Sequence, residues 1–164
     1  RIVLAPETTA EERSMRHAFS PWCRWEDRTG LPGLEYPGVY ALAISRTNIS
    51  SMKFTWLREI VYIGMTNSVG GLRSRLSQFD RTIGGGEGHG GAQRVRFKHP
   101  KRNVLAKKLY ISIIVFKCDV KSEKPKDLRI MGDVARYEYE CFAAYSEKYG
   151  RLPEFNDKHR SPKQ

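Results

Sequence analysis

Residues 110–116 read Tyr-Ile-Ser-Ile-Ile-Val-Phe. β-branched and aromatic side chains dominate this run and one serine interrupts it, which predicts a strand at the centre of a sheet. Two shorter apolar runs supply its neighbours. Residues 38–44 (Gly-Val-Tyr-Ala-Leu-Ala-Ile) and residues 59–64 (Glu-Ile-Val-Tyr-Ile-Gly) flank a polar stretch, the pattern of an antiparallel hairpin with a long loop. Leu72, Leu76, Phe79 and Ile83 follow at helical spacing, and the glycine-rich segment 84–91 is expected to break that helix. A last helix is predicted from a cap at Asp133 to Gly150, with Pro153 preventing extension and Val134, Cys141, Phe142, Tyr145 and Tyr149 on one stripe. The fold class is therefore α+β: a small three-stranded antiparallel sheet flanked by helices.

The chain of 164 residues suits a single domain. Residues 1–36 read as an irregular N-terminal arm with a short helix within 8–19, residues 37–157 as the core and residues 158–164 as a tail. Trp22, Trp25 and Trp56 are expected to pack the arm on the core. With 40% hydrophobic and 29% charged residues, and no apolar run near the ~20 residues of a membrane helix, collagen, coiled-coil and membrane-spanning classes are excluded. Cys23, Cys118 and Cys141 are odd in number and widely spaced, which suggests neither a disulfide framework nor a zinc knuckle and points to a reducing, cytoplasmic setting.

Charge narrows the partners. Lys and Arg number 29 against 18 Asp and Glu, a net charge of +11, and residues 91–126 hold eleven basic residues against two acids. Such a field draws polyanions, nucleic acid before an anionic membrane surface or an acidic protein. Residues 93–102 mix Arg94, Arg96, Lys98, Lys101 and Arg102 with Phe97, a pattern suited to phosphate contacts and stacking. Gly86 to Gly91 formally fits G-x-G-x-x-G but follows a helix rather than a strand, so no nucleotide cofactor is expected. His89 in this segment reads as an exposed loop histidine, with assistance to catalysis as the alternative.

Two helical side chains stand out. At about 100° per residue, Glu138 points into the apolar stripe of the last helix while Glu140 faces solvent. A carboxylate aimed at a sheet is costly unless paired or metal-bound. Arg75 lies beside Leu72, Leu76 and Phe79, only about 20° nearer the stripe than Arg73. Tyr40 and Tyr62 each stand near a glycine, in Gly38-Val39-Tyr40 and Tyr62-Ile63-Gly64. The hairpin brings the two triplets opposite each other.

Gly-Val-Tyr, Tyr-Ile-Gly, Leu72-Arg73-Ser74-Arg75-Leu76, a late helical Glu and Asn156 after Pro153 resemble, in that order, the GIY-YIG nuclease superfamily. The resemblance covers about residues 37–157. It implies a metal-dependent DNA endonuclease that hydrolyses phosphodiester bonds, or else a non-catalytic nucleic-acid-binding module retaining the nuclease fold. By position, Tyr40 takes the proton of the attacking water and Tyr62 positions water or phosphate. Arg75 binds the phosphate oxygens, Glu138 holds Mg²⁺ or Mn²⁺, and Asn156 ties the end of the chain to the site. Arg73 and the basic residues of 93–102 would meet the DNA backbone, and a homodimer would serve if both strands are cut. The chain departs from the family pattern at Met65, where a Lys is frequent, and at Phe79, where some members carry His or Tyr. Glu138 and Asn156 are also 18 positions apart, a longer spacing than in several members, and Glu140 is the alternative ligand.

Overall fold

The computed structural model describes Thr9, residues 17–159 and Ser161. The expected helix within 8–19 therefore lies largely outside the described residues. Four antiparallel strands form one sheet: β1 (Cys23–Arg24), β2 (Gly38–Ile44), β3 (Ile60–Thr66) and β4 (Leu109–Val115), in the order β1-β4-β2-β3. The three long strands lie where the apolar runs predict them. The fourth, β1, is a correction to the three-stranded expectation, and its cause is the open edge of β4. Ser20 N–H donates to Ile113 O at 2.8 Å, Ile113 N–H donates to Ser20 Oγ at 3.0 Å, and Cys23 pairs with Ile111. An apolar strand with a bare row of backbone groups is a liability, and the preceding segment covers it.

Four helices are described: α1 (Gly71–Ile83), α2 (Gly90–Lys98), α3 (Arg102–Ala106) and α4 (Pro125–Tyr149). Tyr40, Leu42, Tyr62, Ile111 and Ile113 share one core with Leu72, Leu76 and Phe79 of α1, Val95 of α2 and Leu105 of α3. Val39, Ala41, Ala43, Ile63 and Ile114 form the other core with Val134, Cys141 and Tyr145 of α4. The alternation of side chains along β2 thus divides the molecule into two packed layers. Trp25 is buried in the first core and Trp22 in the second, so the segment before β2 packs on the core through its tryptophans as expected, while Arg24, Glu26, Asp27 and Thr29 remain exposed.

Two boundaries differ from expectation. α4 starts at Pro125, capped at Lys124, well before Asp133, which is buried inside the helix. Proline at the first helical position and Asp127 in the first turn favour this start, and Gly132 in the helix interior is tolerated. Its end is as expected, at Gly150 in the left-handed conformation (φ 72°). The second difference is α2. Residues expected to be a flexible breaker and a basic connector are helical from Gly90, because His89 caps the helix and Ala92 and Val95 pack beneath it.

Candidate active site

Tyr40 and Tyr62 project from neighbouring strands onto the α1 face. Tyr40 pairs with Gly64 across the hairpin and Leu42 with Tyr62, so the two tyrosines are diagonal neighbours with ring centroids 6.1 Å apart. Glycine makes room for both rings. A Cβ on Gly64 would stand 2.5 Å from the Tyr40 ring, and one on Gly91 would stand 2.5 Å from the Tyr62 ring. Gly64 belongs to the expected motif. Gly91 does not, and nothing in the sequence marks it as the seat of Tyr62.

Arg75 comes from α1. Its Nη1 donates to Gln78 Oε1 at 2.8 Å, while its buried Nε has no partner. The choice between Arg73 and Arg75, which an ideal helical wheel hardly separates, is clear in the structure: Arg73 is exposed and Arg75 is half-buried. Glu138 and Glu140 separate in the same way. Glu138 is half-buried on α4, whereas Glu140 is largely exposed and lies 4.0 Å from Arg136. Burial raises the Glu138 pKa above the usual carboxylate range, and Arg75 offsets part of that rise. Glu138 makes no hydrogen bond or ion pair among the described residues.

The four side chains sense one another. Burial pushes the Tyr40 phenol well above its ordinary pKa, Tyr62 and Glu138 push in the same direction, and Arg75 opposes them. Tyr62 is raised by burial too, against the lowering effect of Arg75 and Arg94. Arg75 favours the Tyr40 phenolate, but desolvation outweighs it. Residues from β2, β3, α1 and α4 nonetheless lie within electrostatic reach of one another.

Asn156 sits in a single 3-10 turn, Glu154–Asn156, after α4. Its side-chain amide accepts from Ile63 N–H at 2.9 Å and donates to Ile63 O at 2.8 Å. Because β3 is an edge strand, Asn156 substitutes for a missing strand neighbour, and it bears on the site through Tyr62 and Gly64 beside Ile63.

The basic segment is rearranged relative to expectation. Arg94 is buried, and its Nε donates to Phe155 O at 2.8 Å. Arg96 leans on the carbonyls of Thr82 and Gly86. Lys98 pairs with Glu154, and Arg102 pairs with Asp80 at 2.6 Å. Lys101 alone of the five has no carboxylate or carbonyl partner among the described residues, and it stands exposed. Burial removes Arg94 from a phosphate-contacting face, while Arg102 stays half-exposed with Asp80 as its partner.

His89 is not the exposed loop histidine that its glycine-rich surroundings suggest, and its position leaves the alternative, a part in the site, standing. His89 is 1% exposed. Its Nε2 lies 2.9 Å from Tyr40 Oη, and its ring meets Phe79 and Tyr62 edge-on at 5.0 Å and 5.7 Å. A sequence signal exists in its place just before Gly-Gly-Ala at a helix start, but burial of the ring depends on residues of β2, β3 and α1. Gln78, three positions beyond Arg75, was also overlooked, although that spacing puts the two on one helix face.

A cleft of about 440 Å³ opens beside Arg75, lined by Thr66, Asn67, Ser68, Gln78 and Arg81 among others. Among the described residues no group of three or more His, Cys, Asp or Glu is arranged to hold a metal. Glu138 stands as a single oxygen donor, which suits a cation that keeps most of its waters, as Mg²⁺ does. Compared with protein-family models, curated proteins and solved structures, the chain matches none.

Proposed function

We propose that the chain is a metal-dependent DNA endonuclease of the GIY-YIG type, hydrolysing phosphodiester bonds at the site formed by Tyr40, Tyr62, Arg75 and Glu138. The observation that carries this reading is the electrostatic coupling of two phenols, a guanidinium and a half-buried carboxylate drawn from four elements. A structural role explains each tyrosine separately. It does not explain a carboxylate left without a partner beside an arginine whose Nε is also unsatisfied. Buried polar groups normally find partners, and a phosphate with its counter-cation would satisfy both.

Hydrolysis of a phosphodiester needs a deprotonated water, a clamp on the non-bridging oxygens and relief of charge on the leaving oxygen. Arg75 supplies the clamp, its free Nε and remaining Nη hydrogens matching phosphate geometry. Gln78 fixes the guanidinium from the other side. Tyr40, once ionised to phenolate, accepts the water proton and becomes the neutral phenol, and Tyr62 holds the water or phosphate by hydrogen bond. Glu138 would hold a divalent cation, Mg²⁺ or Mn²⁺, which would supply positive charge to stabilise anionic oxygens at the site. Asn156 keeps β3, and with it Tyr62, in register. The +11 net charge supports a polyanionic partner and rapid, salt-sensitive association. A cytoplasmic setting is in keeping with the three cysteines, all of them free. Among the described residues no helix is long and apolar enough to cross a membrane.

The deciding experiment incubates supercoiled plasmid and branched DNA with the protein in Mg²⁺, Mn²⁺ or chelator. Metal-dependent nicking is expected, reduced at least about 100-fold in Glu138→Ala, Arg75→Ala and Tyr40→Phe, the scale of removing one essential acid–base or electrostatic group. Tight DNA binding without cleavage in either metal would overturn the enzymatic reading in favour of a binding module. Wild-type activity in Glu138→Ala would overturn its assignment.

A further inference from the structure

The Tyr40–His89 contact is more specific than its 2.9 Å length conveys, because the other imidazole nitrogen is already committed. Ala92 N–H donates to His89 Nδ1 at 3.2 Å, so Nδ1 carries a lone pair and no proton. The same contact makes His89 the N-cap of α2. A neutral imidazole with Nδ1 accepting must bear its hydrogen on Nε2. That hydrogen points at Tyr40 Oη, and the phenol oxygen is the acceptor.

From this geometry we infer that His89 is a positioning residue for Tyr40: it donates from Nε2 to the phenol oxygen, in a tautomer set by the Ala92 amide, and it relays no proton. The inference rests on the nuclease reading for its consequence in catalysis, but the tautomer stands on geometry alone. Every element packed around the ring supports a neutral donor. Arg75 on α1 and Arg94 on α2 are the charged groups within reach, and both disfavour a second positive charge. Tyr62 on β3 and Phe79 on α1 enclose the ring with aromatic edges. Burial and the two arginines hold the imidazole pKa down to about 3.

The consequence for Tyr40 is geometric. Its oxygen accepts from His89, so its own hydrogen cannot point there, and the phenol oxygen of Tyr62 is the partner within reach of it. The Tyr40 oxygen is thereby fixed between the His89 N–H and the Tyr62 phenol, and a Tyr40 phenolate would be met by the His89 donor. A relay histidine would need a free lone pair at Nε2 to receive the proton, and here that position is occupied. The position four residues after Arg75 is Phe79, so the polar contact to Tyr40 comes from the cap of the next helix instead of from α1.

The test uses the full chain labelled with ¹⁵N-histidine and long-range ¹H–¹⁵N correlation spectra from pH 5 to 8.5, with His89 assigned by loss of its signals in His89→Gln. The expected pattern is that of the Nε2–H tautomer, unchanged across the range. The Nδ1–H pattern, or conversion to imidazolium above pH 5, would overturn the inference. A second arm compares cleavage by His89→Ala and His89→Gln in Mg²⁺. The alanine variant is expected to lose about 10- to 100-fold in kcat with KM nearly unmoved, the worth of one hydrogen bond to a charged group. The glutamine variant, which keeps an amide donor, is expected to recover most of that loss. A folded His89→Gln as defective as His89→Ala would mean that proton transfer through the ring matters, and would overturn the donor assignment. Should the wild type cleave no DNA in either metal, the nuclease reading fails while the spectra still decide the tautomer.

Discussion

Glu138 sits in an environment that its carboxylate does not prefer. Its carboxylate is half-buried, has no direct partner and is pushed upward in pKa by desolvation. A carboxyl group whose folded pKa exceeds its unfolded value favours folding at low pH and disfavours it as pH rises through the folded value. Replacing it by the neutral isostere removes that opposition. Glu138→Gln is therefore expected to melt at the same or a higher temperature than wild type at pH 8 without metal, with the difference shrinking at pH 5, and to lose cleavage. Thermal melts at the two pH values check this, and a clear drop in Tm at pH 8 would show that Glu138 has a stabilising partner. Stability held back at a functional group is a recurring trade. Tyr40 shows the same tension, since burial works against the phenolate that its proposed role requires.

At the scale of elements, the site depends on the edge strand β3. Tyr62, Ile63 and Gly64 lie on it, and the outer side of Ile63 is held by Asn156 alone among side chains. Asn156→Ala is expected to cost about 1–3 kcal/mol, because two hydrogen bonds are lost and two backbone groups are left to solvent or unpaired. Hydrogen exchange at the Ile63 amide should accelerate more than at β4 amides. Equal acceleration in both strands would mean that the clamp is global, not local. A second junction joins helix to helix. Asp80 of α1 accepts from Trp25 Nε1 at 2.9 Å and pairs with Arg102 of α3 at 2.6 Å and with Arg28 at 3.4 Å. One carboxylate thereby binds the turn after β1 and α3 to the helix that carries Arg75.

At the scale of the whole molecule, depressed ionisations contribute to the acid limit, those of His89 and Asp80 among them. Burial and the two arginines depress His89, so the unfolded chain takes up a proton near pH 6.5 that the folded chain refuses until about pH 3. Burial alone would raise Asp80, but its bonds to Trp25 and Arg102 and the nearby Arg28 outweigh it and lower the pKa. Both groups favour folding at neutral pH and lose that contribution as pH falls, His89 from about pH 6.5 downward and Asp80 further down. The urea midpoint is expected to fall steadily from pH 7 to pH 4. The slope should flatten in His89→Gln without vanishing, because burial also lowers His99. An unchanged slope would mean that His89 ionises freely in the folded state. Charge at this scale is testable on DNA as well. Lys101 is exposed and has no partner among the described residues, so Lys101→Ala is expected to reduce the log–log salt slope of binding by roughly 0.9 with no change in Tm. Arg102→Ala is expected to lower Tm instead, because it strips Asp80 of a partner; the reverse pattern would reassign the two.

What the sequence determined by itself is what depends on periodicity and local chemistry. The strands at 38–44, 59–64 and 110–116, the helix bearing Arg75 and the stop at Gly150 are all legible there, since alternation, helical spacing and a left-handed glycine act over a few residues. Helical angle also singled out Glu138 over Glu140. Tertiary structure alone decided the rest. Arg94 and Arg102 resemble surface cations until Phe155 and Asp80 arrive from far along the chain. Ser20 and Cys23 look like loop residues until β4 offers an open edge. His89 becomes an interior donor only when β2, β3 and α1 close around it, because burial and hydrogen-bond partnership belong to pairs of distant residues, which no local window contains.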